Sequence, residues 1–455
     1  MEILIKVLQL ILSLSILVIL HECGHFFPAK WFKTRVEKFY LFFNPGFELF
    51  KKKIGETEYG IGWLPLGGYV KISGMIDESF DKEQMQGEPQ PWEFRSKPAW
   101  QRFIIMIGGV TVNLILGVVL FIMIFAVYGE KYLPTEEVKY GIFVDSLGYD
   151  VGFRTGDKIL KYGDEDFTKF SKGTIIKEVA VNDLASVTVD RQGQIVKVPI
   201  DPKYGTLFGS YKMRAYRLFD ARTEFIVGDV LRGKKKFGLF KKSEDGPGAK
   251  AGIEKGDKIV AINGTPINFF DEAIDLAKKY KGQTVPFTII REGQSMTKDL
   301  TLTAEGTMGI YRADIEEFYP HKTQDYTWAQ AVPRGWKESI GFLGDQFKAF
   351  RQMFRGKIKV QDSLGSFISI GNLFPSEWNW NIFWRMTAVL SLILGIMNLL
   401  PIPALDGGYI MFLIWEMISG KKVSDKTMEI ANTVGFFILI ALMIFAFGLD
   451  ISRLF

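Results

Sequence analysis

Four stretches of the chain, residues 7–20, 103–128, 386–405 and 430–449, carry no charge, and a charged, glycine-rich block separates the second from the third. A helix crossing a bilayer core needs roughly 20 apolar residues. The last three stretches qualify directly. The first does so if it continues through polar residues towards Phe26. This pattern predicts a multi-pass α-helical membrane protein with four transmembrane helices and a folded insert between the second and third. The first stretch can also be read as a cleaved signal peptide. Against that, Glu2 precedes Lys6 where a basic start is expected, and no small-residue cleavage site follows.

Composition adds sidedness. Residues 26–101 carry eleven lysines and arginines, and the loop after the third stretch carries Lys421, Lys422 and Lys426. Positive loops stay in the cytoplasm, so both termini and the central block are expected on the outer face. The net charge of +5 reflects these loops and gives no reason to expect nucleic-acid binding. Cys23 is the one cysteine, so no intramolecular disulfide can form.

Two of the three histidines frame His21-Glu22-Cys23-Gly24-His25, an H-E-x-x-H motif. On a helix, residues i and i+4 share a face, so both imidazoles can bind one metal ion. Glu22, one step round, can serve as general base towards an attacking water. The bland alternative is a polar helix end facing the headgroups. A catalytic zinc site needs a third protein ligand. His321, in Tyr319-Pro320-His321-Lys322, reads as a surface loop residue in the outer block. Asp406 follows a long uncharged run in Asn398-Leu399-Leu400-Pro401-Ile402-Pro403-Ala404-Leu405-Asp406-Gly407-Gly408. Two prolines and two glycines break this span, and irregular backbone at membrane depth is tolerated only inside protein or beside a water-filled cavity. Asp406 could instead simply mark the cytoplasmic end of the span. Cys23, at i+2 from His21, points away from it and reads as a small apolar filler.

These residues closely resemble the site-2 protease family of intramembrane zinc metalloproteases, in particular the bacterial branch that includes the regulator-of-sigma-E protease. The resemblance covers nearly the whole chain. It implies that His21, His25 and Asp406 hold Zn2+, that Glu22 is the catalytic base, and that Asn398 holds the substrate backbone. The family's membrane-associated β-hairpin with a G-x-G edge strand is matched at residues 58–72, so Gly60, Ile61 and Gly62 are expected to receive a substrate strand. One departure is visible: relatives often carry Ser-Gly-Pro ahead of the third span, whereas this chain reads Ser363-Leu364-Gly365-Ser366-Phe367.

The central block repeats internally. Gly152-Phe153-Arg154-Thr155-Gly156-Asp157-Lys158-Ile159 recurs as Gly252-Ile253-Glu254-Lys255-Gly256-Asp257-Lys258-Ile259, and residues 140–143 pair by sequence with 237–240. In the second copy, residues 258–262 read as a strand ending at an Asn263-Gly264 turn, 271–280 as a helix capped by aspartate, and 285–290 as a further strand. The G-x-x-x-G-D-x-I pattern looks like a PDZ domain, serving as a substrate filter or as a plain spacer. The expected order is a first transmembrane helix (1–26), a cytoplasmic-side hairpin loop (27–101), a second helix (102–128) and two PDZ-like α+β domains (129–221 and 222–312). A linker (313–381), a third transmembrane region (382–416) and a fourth helix (427–450) follow. In the linker, Trp336, Ile340, Leu343, Phe347, Phe350 and Phe354 share one helical face, suited to the outer membrane surface or to the PDZ-like pair.

The expected activity is hydrolysis within or near transmembrane segments of single-pass membrane proteins, either an anti-sigma factor or remnant signal peptides, in a bacterial inner membrane with the active site towards the cytoplasm. Two other classes stay open: an inactive membrane scaffold presenting PDZ domains, and a membrane-anchored peptidase acting on soluble peptides. Oligomeric state is not legible.

Overall fold

A computed structural model describes residues 2–65, 67–75, 88–233, 244–363 and 365–453. The chain divides into two compact units, one of residues 1–130, 325–350 and 363–455, the other of 131–324 and 351–362.

The first unit is helical around a small sheet. Among the described residues, four helices are long and apolar enough to cross a membrane. Helix α1 spans Glu2–Trp31, beyond the expected end at residue 26, and α2 spans Ala99–Tyr128, starting after Pro98 and ending at Gly129 with φ 65°. The two cross where Gly24 meets Gly108. A Cβ on Gly24 would lie 2.6 Å from the Gly108 carbonyl carbon, so only glycine permits this backbone contact.

Between α1 and α2 lies a four-stranded sheet of β1 (Val36–Leu41), β2 (Phe43–Ile54), β3 (Thr57–Leu64) and β4 (Tyr69–Ile72), in the order β2-β3-β1-β4. Helix α3 (Trp328–Phe354) turns Ala331 and Gly335 towards α2, where Gly335 abuts Ile122. Trp336, Ile340 and Phe347 remain exposed. Leu343 of the expected apolar face packs into the same cluster, beside the small residues Ala331 and Gly335.

The short helix α4 (Phe367–Gly371) leads to α5 (Trp380–Leu399). The helix then breaks over residues 400–405 and resumes as α6 (Asp406–Ser419), so the expected third transmembrane region is two helices. Helix α7 (Asp425–Ser452) completes the unit. Buried polar contacts join the spans, as expected where no hydrophobic drive separates helix from lipid. Ser391 donates to the Asn113 backbone carbonyl at 2.7 Å, and the Thr387 and Ser13 hydroxyls lie 2.9 Å apart. Arg102 on α2 pairs with Glu416 on α6 at 2.5 Å. In the segment lacking proline, Leu364 lies outside the described residues. Its neighbour Ser366 donates its hydroxyl to Asp450 of α7 at 2.5 Å, and Ser369 does the same.

The second unit holds two modules of one topology. In the first, antiparallel strands run Gln194–Pro199, Ser186–Arg191, Lys158–Tyr162, Glu165–Asp166 across the sheet. In the second, Gln294–Thr301, Thr284–Arg291, Lys258–Ile262, Thr265–Pro266 take the same places. The repeated aspartate has one task in both copies. Asp157 and Asp257 are buried and each binds an arginine of the neighbouring strand, Arg191 at 2.8 Å and Arg291 at 2.7 Å.

Two expectations need correction. The stretch at 237–240 lies outside the described residues, and the hydrogen bonds that Ile142 exchanges with Gly156 and Asp157 are made in the second copy by Val227 with Gly256 and Asp257. The second module's helix is Phe270–Lys279, and Glu272, not Asp271, caps it by accepting from the Asn268 and Phe269 N–H groups. Asp271 instead pairs with Arg222 at 3.0 Å.

Candidate metal centre

His21 and His25 project from the buried side of α1 towards α2, one turn apart. Gly109 of α2 leaves room for both rings. A Cβ there would lie 2.6 Å from His21 Cε1 and closer still to His25 Nε2. Asp406 arrives from the far side as the first residue of α6. Its turn is kept tight by Gly407 and Gly408, whose added Cβ atoms would run into the backbone of Leu399 and Ile402.

The donor atoms form a near-equilateral triangle. His21 Nε2 and His25 Nε2 are 3.3 Å apart, and each lies 3.4 Å from Asp406 Oδ2. Ligands at about 2.0–2.1 Å from a tetrahedral zinc ion are separated by about 3.3–3.4 Å. Asp406 Oδ2 is buried and receives no hydrogen bond. An unsatisfied carboxylate oxygen is costly at such a depth, and a cation is the group that would relieve it. The residues therefore fit zinc in donor type, number and spacing. Among the described residues, this is the group of three such side chains that converges.

The second ring nitrogens are oriented by α2. His25 Nδ1 lies 2.8 Å from the Ile105 carbonyl, so its proton sits there and the Nε2 lone pair faces the triangle. His21 Nδ1 lies 3.0 Å from the Asn113 side-chain nitrogen, while Asn113 Oδ1 is buried without a donor. Amide oxygen and nitrogen are assigned from their partners. Turning the Asn113 amide over places Oδ1 against the His21 Nδ1 proton and satisfies both groups. Asn113 escaped the sequence reading; the available signal was an amide in an otherwise apolar span, which is costly unless it has a partner.

The triangle lies on the wall of a cavity of about 760 Å³, which Glu22, Asn398, Asn432 and residues 67–72 also line. Glu22 is buried beside His21. The Asn398 side-chain nitrogen is 3.4 Å from His21 Nε2. Cys23 is half-buried and outside the triangle, and His321 belongs to the other unit, where its ring contacts the Tyr319 carbonyl.

The expected role of Gly60, Ile61 and Gly62 as an open edge is overturned. They lie on β3, an interior strand, with Gly60 opposite Lys51 of β2 on one side and Tyr40 of β1 on the other. A Cβ on Gly60 would strike the Tyr40 ring, and one on Gly62 would lie 2.6 Å from the Phe42 carbonyl oxygen. These glycines serve contacts inside the sheet. The edge strands are β2 and β4; the start of β2 (Phe43, Asn44) and the whole of β4 line the cavity, and β4 pairs only with β1 among the described strands.

Comparison with known proteins gives a consistent picture. The sequence profile described as Peptidase family M50 matches residues 9–442. A protein from Yersinia pestis named Protease RseP is 26% identical over 469 residues, covering 100% of both chains. One from Haemophilus influenzae named Regulator of sigma E protease is 26% identical over 466 residues, covering 98% of each. A candidate zinc metalloprotease of Neisseria meningitidis is 27% identical over 472 residues, covering 98% of this chain and 99% of its own.

Proposed function

The chain belongs to peptidase family M50, the site-2 protease family, and is a zinc metalloprotease; from that premise we propose that it hydrolyses peptide bonds within or beside the membrane-spanning segments of other membrane proteins. The observation that carries this reading is the His21, His25 and Asp406 triangle, set among apolar helices on the wall of a cavity of about 760 Å³.

His21, His25 and Asp406 would hold the metal. Zinc bound there supplies a Lewis acid that polarises the scissile carbonyl and acidifies the attacking water towards a pKa of about 7. Glu22 takes the proton from that water and passes it to the leaving amine. Asn398, whose amide both donates and accepts, holds the substrate backbone beside His21. A peptide bond in a helix is shielded by its own hydrogen bonds, so the substrate must unwind. β4 (Tyr69–Ile72), an edge strand that lines the cavity, supplies replacement partners by strand addition, the role first expected of Gly60, Ile61 and Gly62.

The basic residues of 26–101 favour a cytoplasmic location for the hairpin sheet. In that orientation both termini and the two PDZ-like modules face the periplasm of a bacterial inner membrane, where the modules filter substrates by the size of their outer domains. The substrates are single-pass membrane proteins, either an anti-sigma factor, a reading supported by the relative named for sigma E regulation, or remnant signal peptides. The test is cleavage of a tagged single-span substrate in proteoliposomes by wild type and by Glu22→Gln. The variant should retain zinc and leave the substrate intact; cleavage at the wild-type rate would remove Glu22 from the chemistry.

A further inference from the structure

Asp406 is presented by six residues in which Ile402 and Leu405 donate to the Leu400 and Ile402 carbonyls, while the Ala404 N–H turns outward to a side chain. Residues 400–405 include Pro401 and Pro403, which have no N–H to donate. Ala404 adopts φ 74°, a left-handed conformation that a residue with a Cβ rarely takes. Strain of this kind persists only where surrounding groups hold it. One such group comes from α7. The Ala404 N–H faces Asn432 Oδ1 at 3.4 Å, and Asn432 is buried. One turn further along, Gly435 abuts Pro403, where an added Cβ would overlap the carbonyl group. Positions 432 and 435 share a helical face, so one side of α7 contacts this loop twice.

We propose that Asn432 is a positioning residue for the metal site: its side-chain oxygen holds Ala404 in the left-handed turn from which Asp406 is aimed at His21 and His25. The inference rests on the metal-site reading above. It requires no contact between Asn432 and metal or substrate. A left-handed turn at a residue with a Cβ persists only while its surroundings hold it, so losing the acceptor lets the turn relax. Relaxation moves Asp406, the first residue after the loop.

The test is zinc affinity of the full-length protein in detergent, read by competition with a chromophoric chelator, with tryptophan fluorescence reporting folding. Asn432→Leu removes the acceptor while keeping the volume. It should weaken zinc binding on the order of 10-fold, the scale found for outer-shell ligand supports. Asn432→Ala serves the same purpose should leucine prevent folding. Adding Ala404→Gly makes the left-handed turn accessible without help, and should restore most of the lost affinity. A residue that merely supports helix packing would not be rescued by glycine at 404. Wild-type zinc affinity in the Asn432 variants overturns the proposal, as does a loss that Ala404→Gly leaves unchanged. Wild-type protein that takes up no zinc overturns the metal reading itself, and this proposal with it.

Discussion

Alanine at Gly109 would add one methyl group at the point where α2 passes beneath both imidazoles. Its Cβ would lie 2.6 Å from His21 Cε1 and 2.9 Å from His21 Nδ1, with His25 Nε2 nearer still. Carbon atoms in ordinary contact sit about 3.5–4.0 Å apart, so one partner must give way by about 1 Å. Retreat of α2 would open the Gly24–Gly108 backbone contact beside it. Rotation of the rings would displace donor atoms whose distances to a metal tolerate only about 0.2 Å. Either route spoils the triangle. Because the displacement is several times that tolerance, the loss should exceed the roughly 10–100-fold cost of removing an outer-shell support. Zinc affinity should therefore fall at least about 100-fold, or about 2.7 kcal/mol. The assay is competition with a chromophoric chelator. The control is Gly117→Ala on the same helix, whose methyl would meet the Leu392 side chain at 2.6 Å. That variant is overpacked and should lose about 1–3 kcal/mol of stability while keeping its zinc. The reasoning fails if Gly109→Ala binds zinc as wild type does, or if both variants lose it equally.

Asn113→Ala should weaken zinc binding roughly 10–100-fold by freeing the His21 ring, measured in the same competition assay. Incubation with a strong chelator should abolish proteolysis, and stoichiometric zinc should restore it. In the second β module, Arg291→Met would leave the buried Asp257 carboxylate without its partner and destabilise that module by about 3–5 kcal/mol, seen as faster hydrogen exchange in Lys258–Ile262. Burial pushes the Asp257 carboxyl up, but the Arg291 hydrogen bonds and the Glu254 N–H outweigh it and hold it below the usual carboxylate range. Its pKa is thus lower folded than unfolded, so the stabilisation is complete above about pH 4 and is lost as pH falls through the folded value. Protection of that strand should therefore drop on acidification in wild type, and much less in Arg291→Met.

His21 and His25 were legible because a spacing of four means one face on any helix. Asp406 stood out as a charge after a long apolar run broken by prolines. Both signals are local and survive without knowledge of the fold. Asn113 carries no charge and no motif, and its importance comes from where α2 crosses α1, which the chain order does not reveal. Of the glycines expected to admit a second backbone, Gly62 does so, against Phe43 of the same sheet, whereas Gly60 makes room for the Tyr40 ring; strand order alone decides which strands lie at the edges. The repeat was visible through its Gly-Asp turns, since Asp157 and Asp257 perform one structural task. The match between 140–143 and 237–240 rested on residue likeness, whereas the hydrogen bonds assign that place to Val227. On α3 the apolar stripe was legible from its period, while the close contact of Ala331 and Gly335 with α2 was not, since small residues leave no periodic signal.

Zinc-edge X-ray absorption on the purified protein addresses the metal centre directly. Wild type should contain one zinc per chain with two imidazole nitrogens and a carboxylate oxygen at about 2.0–2.2 Å, and Asp406→Ala should lose the oxygen contribution together with most of its affinity. A zinc shell containing sulfur at about 2.3 Å would assign Cys23 to the metal in place of Asp406, and a shell unchanged in Asp406→Ala would contradict the triangle outright.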